Sequence, residues 1–181
     1  MNYPQLNTLV FMDDNIIKFE FERVDNAQDW ELEFYDSENR IPLSIKRVKN
    51  SNLSDTYYSE NSYNENFIEF WFNGERELDE IFLISTEIVT IETQFEKTYL
   101  KENRGFYKCK IISLNRIDMS VPMKYIRGKD FIEVLFEHRY EECIYYAVGE
   151  NFQIAVGPND ELVSLLLTNL SSKEISSVFG F

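Results

Sequence analysis

Few side chains in this chain can carry nucleophilic, acid–base or metal chemistry. There is one histidine, His138, and there are two cysteines, Cys109 and Cys143. A zinc site draws on closely spaced Cys and His ligands, and no Cys-x-x-Cys pair occurs. His138 stands beside Arg139 at the end of an apolar run and reads as a turn or strand-edge residue. A Cys–His nucleophile would need thiol and imidazole within hydrogen-bond reach. Each cysteine instead lies inside a strand-like run and reads as a buried, reduced thiol. Gly74, Gly105, Gly128, Gly149, Gly157 and Gly180 are too dispersed for a dinucleotide fingerprint. No Gly-Lys-Ser/Thr phosphate loop and no Gly-x-Ser-x-Gly elbow is present. With 32 acids, a carboxylate pair for glycoside hydrolysis or an oxygen cage for calcium can be drawn anywhere, so neither has any specificity. The sequence predicts no enzyme, no metal and no cofactor.

The acids matter more for where they lie. The formal net charge is -14, which argues against binding a phosphate backbone and so against a nucleic-acid partner. Residues 13–38 hold Asp13, Asp14, Glu20, Glu22, Asp25, Asp29, Glu31, Glu33, Asp36 and Glu38 against only Lys18 and Arg23. Residues 55–80 repeat the bias with Arg76 as their single base. Adjacent strands would set Glu20 and Glu22 beside Glu31 and Glu33, an arrangement that costs stability. Such a face keeps a protein soluble and discourages edge pairing. It also suits a basic partner, since its field steers encounter. A basic stretch, Lys108, Lys110, Arg116, Lys124, Arg127 and Lys129, reads as plain surface, with an anion or a second copy as the alternatives.

Alternation of apolar and charged residues sets the elements that must carry these groups. Ile17, Phe19 and Phe21 alternate with Lys18, Glu20 and Glu22, and Trp30, Leu32 and Phe34 with Glu31, Glu33 and Tyr35. That is the pattern of antiparallel strands with one wet face. Residues 1–48 read as a four-stranded meander. Residues 49–66 form a long polar loop with Tyr57, Tyr58 and Tyr63, a composition resembling a binding paratope. Residues 67–157 read as a second set of strands, interrupted by a short helix over 93–103. Residues 158–181 read as a helical tail. Pro158-Asn159-Asp160 opens it, Leu162, Val163, Leu166, Leu167 and Leu170 follow at helical spacing, and Ser171–Glu174 forms a capping box. Phe67–Phe72 and Phe131–Phe136 resemble each other, and each precedes another apolar run, which suggests two related hairpins.

The expected fold is a single mainly β domain of about nine or ten strands, a sandwich or partly closed barrel with a short C-terminal helix. The N-terminus from Met1 lacks a basic, apolar leader and no apolar run reaches membrane length. A full-length cytoplasmic chain is the expectation. The functional expectation is a non-catalytic acidic protein that neutralises a basic protein partner by occlusion, in concrete form a bacterial immunity protein against a cognate toxin such as a nuclease. Its contact residues would be Glu31, Glu33, Asp36, Asp55, Tyr57, Tyr58, Glu60 and Tyr63. The alternatives are a DNA-mimic regulator and a small-molecule or lipid-binding β-barrel.

Overall fold

A computed structural model of the chain describes residues 18–34, 41–48, 67–85, 91–92, 101–112, 124–135 and 143–179. In chain order the strands are β1 (Phe19–Val24), β2 (Trp30–Phe34), β3 (Ile41–Arg47), β4 (Phe67–Phe72), β5 (Leu78–Ser85), β6 (Ile91–Glu92), β7 (Lys101–Asn103), β8 (Phe106–Ile111), β9 (Lys124–Arg127), β10 (Ile132–Leu135), β11 (Ile144–Gly149), β12 (Phe152–Val156) and β13 (Leu162–Leu167). One helix, α1 (Ser172–Phe179), follows them. Among the described residues the strands make three sheets, none closed into a barrel: a ribbon of β1 and β8, a four-stranded sheet ordered β2-β3-β5-β4, and a seven-stranded sheet ordered β6-β9-β10-β13-β12-β11-β7. All pairings are antiparallel except those of β6 with β9 and β7 with β11 at the two margins. The mainly β class is as the alternation predicts, with more strands than expected because several are very short.

Phe19, Cys109 and Ile111 from the ribbon join Leu43, Ile45, Ile81 and Leu83 from the four-stranded sheet in one buried cluster. Ile132, Val134, Ile154 and Leu165 from the seven-stranded sheet complete it. One core therefore draws on all three sheets, and fully burying each such side chain is worth about 1.5–3 kcal/mol. The ribbon stitches the larger sheets together. Lys18 bridges to Glu161 ahead of β13, and Lys110 bridges to Glu77 ahead of β5. Phe21 stacks flat on Tyr146 of β11, with ring centroids 4.0 Å apart and planes within 1°.

Of the four-stranded meander expected over 1–48, the first strand lies outside the described residues, and the other three do not pair in chain order. β2 and β3 do pair as a hairpin, but β1 pairs with β8. The physical reason lies in the charges. The observed ladder sets Glu20 opposite Lys110 and Glu22 opposite Lys108, where a β1–β2 pairing would set carboxylate against carboxylate. Two residues of the basic stretch, Lys108 and Lys110, thus meet the acidic strand of their own chain.

The tail is corrected too. Residues 162–167 are not helix but β13, a central strand paired on both sides, with β10 and β12. All six residues are buried, so periodicity alone has no wet face to reveal which element they form. The helix starts only at Ser172. There the capping box forms as read: the Ser171 N–H donates to Glu174 Oε2 at 2.7 Å, and the Glu174 N–H donates to Ser171 Oγ at 3.3 Å. The helix expected over 93–103 is strand at residues 101–103, and its remainder lies outside the described residues. Of the two proposed hairpins, β4–β5 exists, whereas β10 pairs with β9 and β13 rather than β11.

The second face of the seven-stranded sheet is also buried, through Cys143, Tyr145, Ala155, Val163 and Leu166. Within it sits Glu133, fully buried, whose Oε1 accepts hydrogen bonds from the Tyr145 hydroxyl at 2.5 Å and the Ser164 hydroxyl at 2.7 Å. A buried carboxylate needs such donors, so the three residues specify how β10, β11 and β13 line up.

Candidate binding site

Glu31 and Glu33 lie exposed on β2, at alternate positions and hence on one face of the four-stranded sheet. Glu31 is opposite Lys46 and Glu33 opposite Ser44. Asp36, Asp55, Tyr57, Tyr58, Glu60 and Tyr63 lie outside the described residues, so only the first two of the expected contact residues are brought together. His138 also lies outside them. Cys109 and Cys143 are buried free thiols, and burial pushes the Cys109 thiol well above its ordinary value. Among the described residues no group of three or more His, Cys, Asp and Glu is placed to hold a metal ion.

Three of the acids, Glu22, Glu77 and Asp79, are ion-paired inside the chain. Where the ribbon meets the four-stranded sheet, Arg47 pairs with both Glu77 and Asp79, and Lys108 reaches Glu77 at 2.8 Å. Asn73 shapes the turn by accepting from the Glu75 and Glu77 N–H groups through Oδ1, and its Nδ2 donates to Glu77 Oε2. Burial pushes the Glu77 carboxyl up, but hydrogen bonds from Lys108, Arg47 and Asn73 outweigh it and hold the group below its ordinary value. On the ribbon, Lys110 bonds Glu22 at 2.6 Å. That hydrogen bond holds Glu22 low and Lys110 high.

Three further acids, Asp29, Glu150 and Glu174, line a pocket. Gln28 ahead of β2 bridges to Gly149 at the end of β11, and the β11–β12 turn lies against the β13–α1 connection through the Thr168 N–H donating to the Asn151 carbonyl. Between these segments opens a cavity of 230 Å³. Its apolar wall is Trp30, Leu32, Phe152, Leu167 and Leu170, and its acidic members are Asp29, Glu150 and Glu174. No Lys, Arg or His lines it among the described residues. Trp30 is held on two sides. Its indole N–H donates to the Val148 carbonyl at 2.9 Å, and its ring meets Phe152 edge-to-face at 5.1 Å. Gly149 makes room for it, because a Cβ there would stand 2.6 Å from Trp30 Cδ1. With the N–H already bonded, the indole ring itself is what Trp30 offers a ligand.

No protein-family model matches the chain, and none of the curated proteins matches it either. The site therefore has to be read from its own chemistry. A volume of 230 Å³ is below the range of about 300–1,000 Å³ usual for small-molecule sites, and suits one side chain better than a cofactor. Sequence reasoning named Trp30 as a core strand residue and Asp29 as one acid among many. What it missed is their meeting with Gly149 and Glu150, more than a hundred residues along the chain, which no local spacing records.

Proposed function

We propose that this chain is a non-catalytic, cytoplasmic acidic binding protein that neutralises a basic partner by occlusion, most concretely a bacterial immunity protein against a cognate toxin such as a nuclease. The observation that carries this reading is the division of the carboxylates. Glu22, Glu77 and Asp79 are paired within the chain with Arg47, Lys108 and Lys110, while Asp29 and Glu150 stand exposed at a pocket with no cation among its described lining residues. A nuclease cleft is basic because it holds phosphates, so it is complementary to such a surface. A negative field of net charge -14 also speeds the capture of a basic protein. Among the described residues no helix is long and apolar enough to cross a membrane, in keeping with this reading.

The alternatives draw less support. A DNA mimic needs runs of uncompensated carboxylates, and here Glu20 faces Lys110, Glu22 faces Lys108 and Glu31 faces Lys46. A ligand-binding barrel needs a closed wall, and among the described residues the sheets stay open.

The test is affinity capture with the tagged chain from native-host lysate, and in parallel by co-expression with the product of the neighbouring reading frame. The expected result is one stoichiometric basic protein that dissociates as salt rises and whose toxic activity is abolished in the complex. A partner that keeps full activity when saturated, or binding indifferent to salt, would overturn the reading.

A further inference from the structure

We infer that the pocket beside Trp30 is a receptor for a single arginine side chain presented by the partner. The inference rests on the occlusion reading for its partner, and on the pocket alone for its chemistry. Three features converge. The wall is an indole fixed by Val148 and Phe152, so the ring does not need to be ordered when a ligand arrives. A cation over an aromatic face is attracted by the ring quadrupole, and a planar guanidinium also stacks on it. The carboxylates of Asp29 and Glu150 are exposed and make no ion pair among the described residues, so a guanidinium can engage them without breaking an existing bond. Glu174 is different: its Oε2 already caps α1, accepting from the Ser171 N–H and hydroxyl, and it contributes charge more than a free ligating atom. The size is right for the tip and stem of one side chain, with Leu167 and Leu170 beside the stem.

The lone indole N–H of Trp30 gives a direct readout. The intact chain, labelled with nitrogen-15, is titrated with Nα-acetyl-arginine amide, with the lysine analogue and with the uncharged citrulline analogue. Trp30 and Trp71 are the two tryptophans, so a Trp71→Phe variant assigns the Trp30 resonance. The arginine probe should shift that resonance saturably in the millimolar range, the lysine probe at least threefold more weakly, and citrulline not at all. Asp29→Asn with Glu150→Gln, both at exposed positions, should weaken the arginine effect at least threefold and leave the rest of the spectrum in place. An unmoved Trp30 resonance, an equal response to citrulline or to lysine, or a double variant that binds as well as the parent would each overturn the inference. The titration uses no partner, so its failure leaves the occlusion reading to the capture experiment. A failed capture, conversely, leaves the arginine response to be read on its own.

Discussion

Two acidic regions of this molecule differ in what answers them. At the junction of β5 with the ribbon, Glu77 and Asp79 are more than nine-tenths buried, and Arg47 and Lys108 reach in to meet them. At the pocket, Asp29 and Glu150 are exposed, and no base stands among the described residues of the lining. In the first region charge is part of the fold, because taking either partner away strands the other in a poorly solvated place. In the second neither carboxylate has an ion pair among the described residues, so a neutral residue should serve the fold as well. Net charge alone does not separate these uses; the partner of each carboxylate does.

The largest effect should come from breaking the first region. Arg47→Met leaves two nearly buried carboxylates without their guanidinium and should cost about 3 kcal/mol, since removing one member of a buried pair exposes the penalty of the other. Urea unfolding followed by fluorescence measures it. The matched change in the second region, Asp29→Asn with Glu150→Gln, should stay within about 0.5 kcal/mol of the parent. Equal losses from the two variants would erase the distinction.

A smaller effect should follow at the pocket from its packing rather than its charge. Gly149→Ala places a Cβ 2.6 Å from Trp30 Cδ1 and 3.1 Å from the Gln28 carbonyl oxygen. The indole has to move, which weakens its bond to Val148 and should cost about 1–3 kcal/mol, the usual range for overpacking. A shifted Trp30 indole resonance together with reduced stability is the expected pair of observations. An unmoved resonance would mean that Trp30 is not held by this contact.

What was legible in the sequence divides along the same line between local and distant. The alternation in Trp30–Phe34 and the capping box at Ser171–Glu174 are local, and both elements form where they were read. Leu162–Leu167 misled because a strand buried on both faces shows the same apolar run as a buried helix. Alternation alone pairs β1 with its neighbour β2, whereas charge points further off: Lys108 and Lys110 are available far along the chain, and cross-strand charge favours them over Glu31 and Glu33 as partners of Glu20 and Glu22. Alternation puts Glu31 and Glu33 on the wet strand face where the structure has them, but it carries no sign of Lys46 opposite Glu31. The pocket was invisible because its sides come from residues 28–30 and 32, 149–152, and 167–170 with 174, which only the folded sheets bring together.

The finest test of the comparison is the response of the junction to acid. The Glu77 carboxyl is held below its ordinary value of 4.5 in the folded protein, against the push of its own burial, by Lys108, Arg47 and Asn73. A depressed carboxyl stabilises the fold above its unfolded pKa, and that stabilisation fades as pH falls through the lower folded value. Glu77→Gln removes this proton-linked part and retains the shape of the side chain. The stability difference between parent and Glu77→Gln should therefore be largest near neutral pH and steady down to about pH 5, then shrink below 4.5, as measured by urea unfolding at a series of pH values. Lys108→Met removes one of the donors that hold the carboxyl low, so its difference from the parent should also narrow on acidification. Parallel profiles across that range would show that the junction is neutral to proton uptake, and that burial and pairing at Glu77 cancel instead of leaving the pairing ahead.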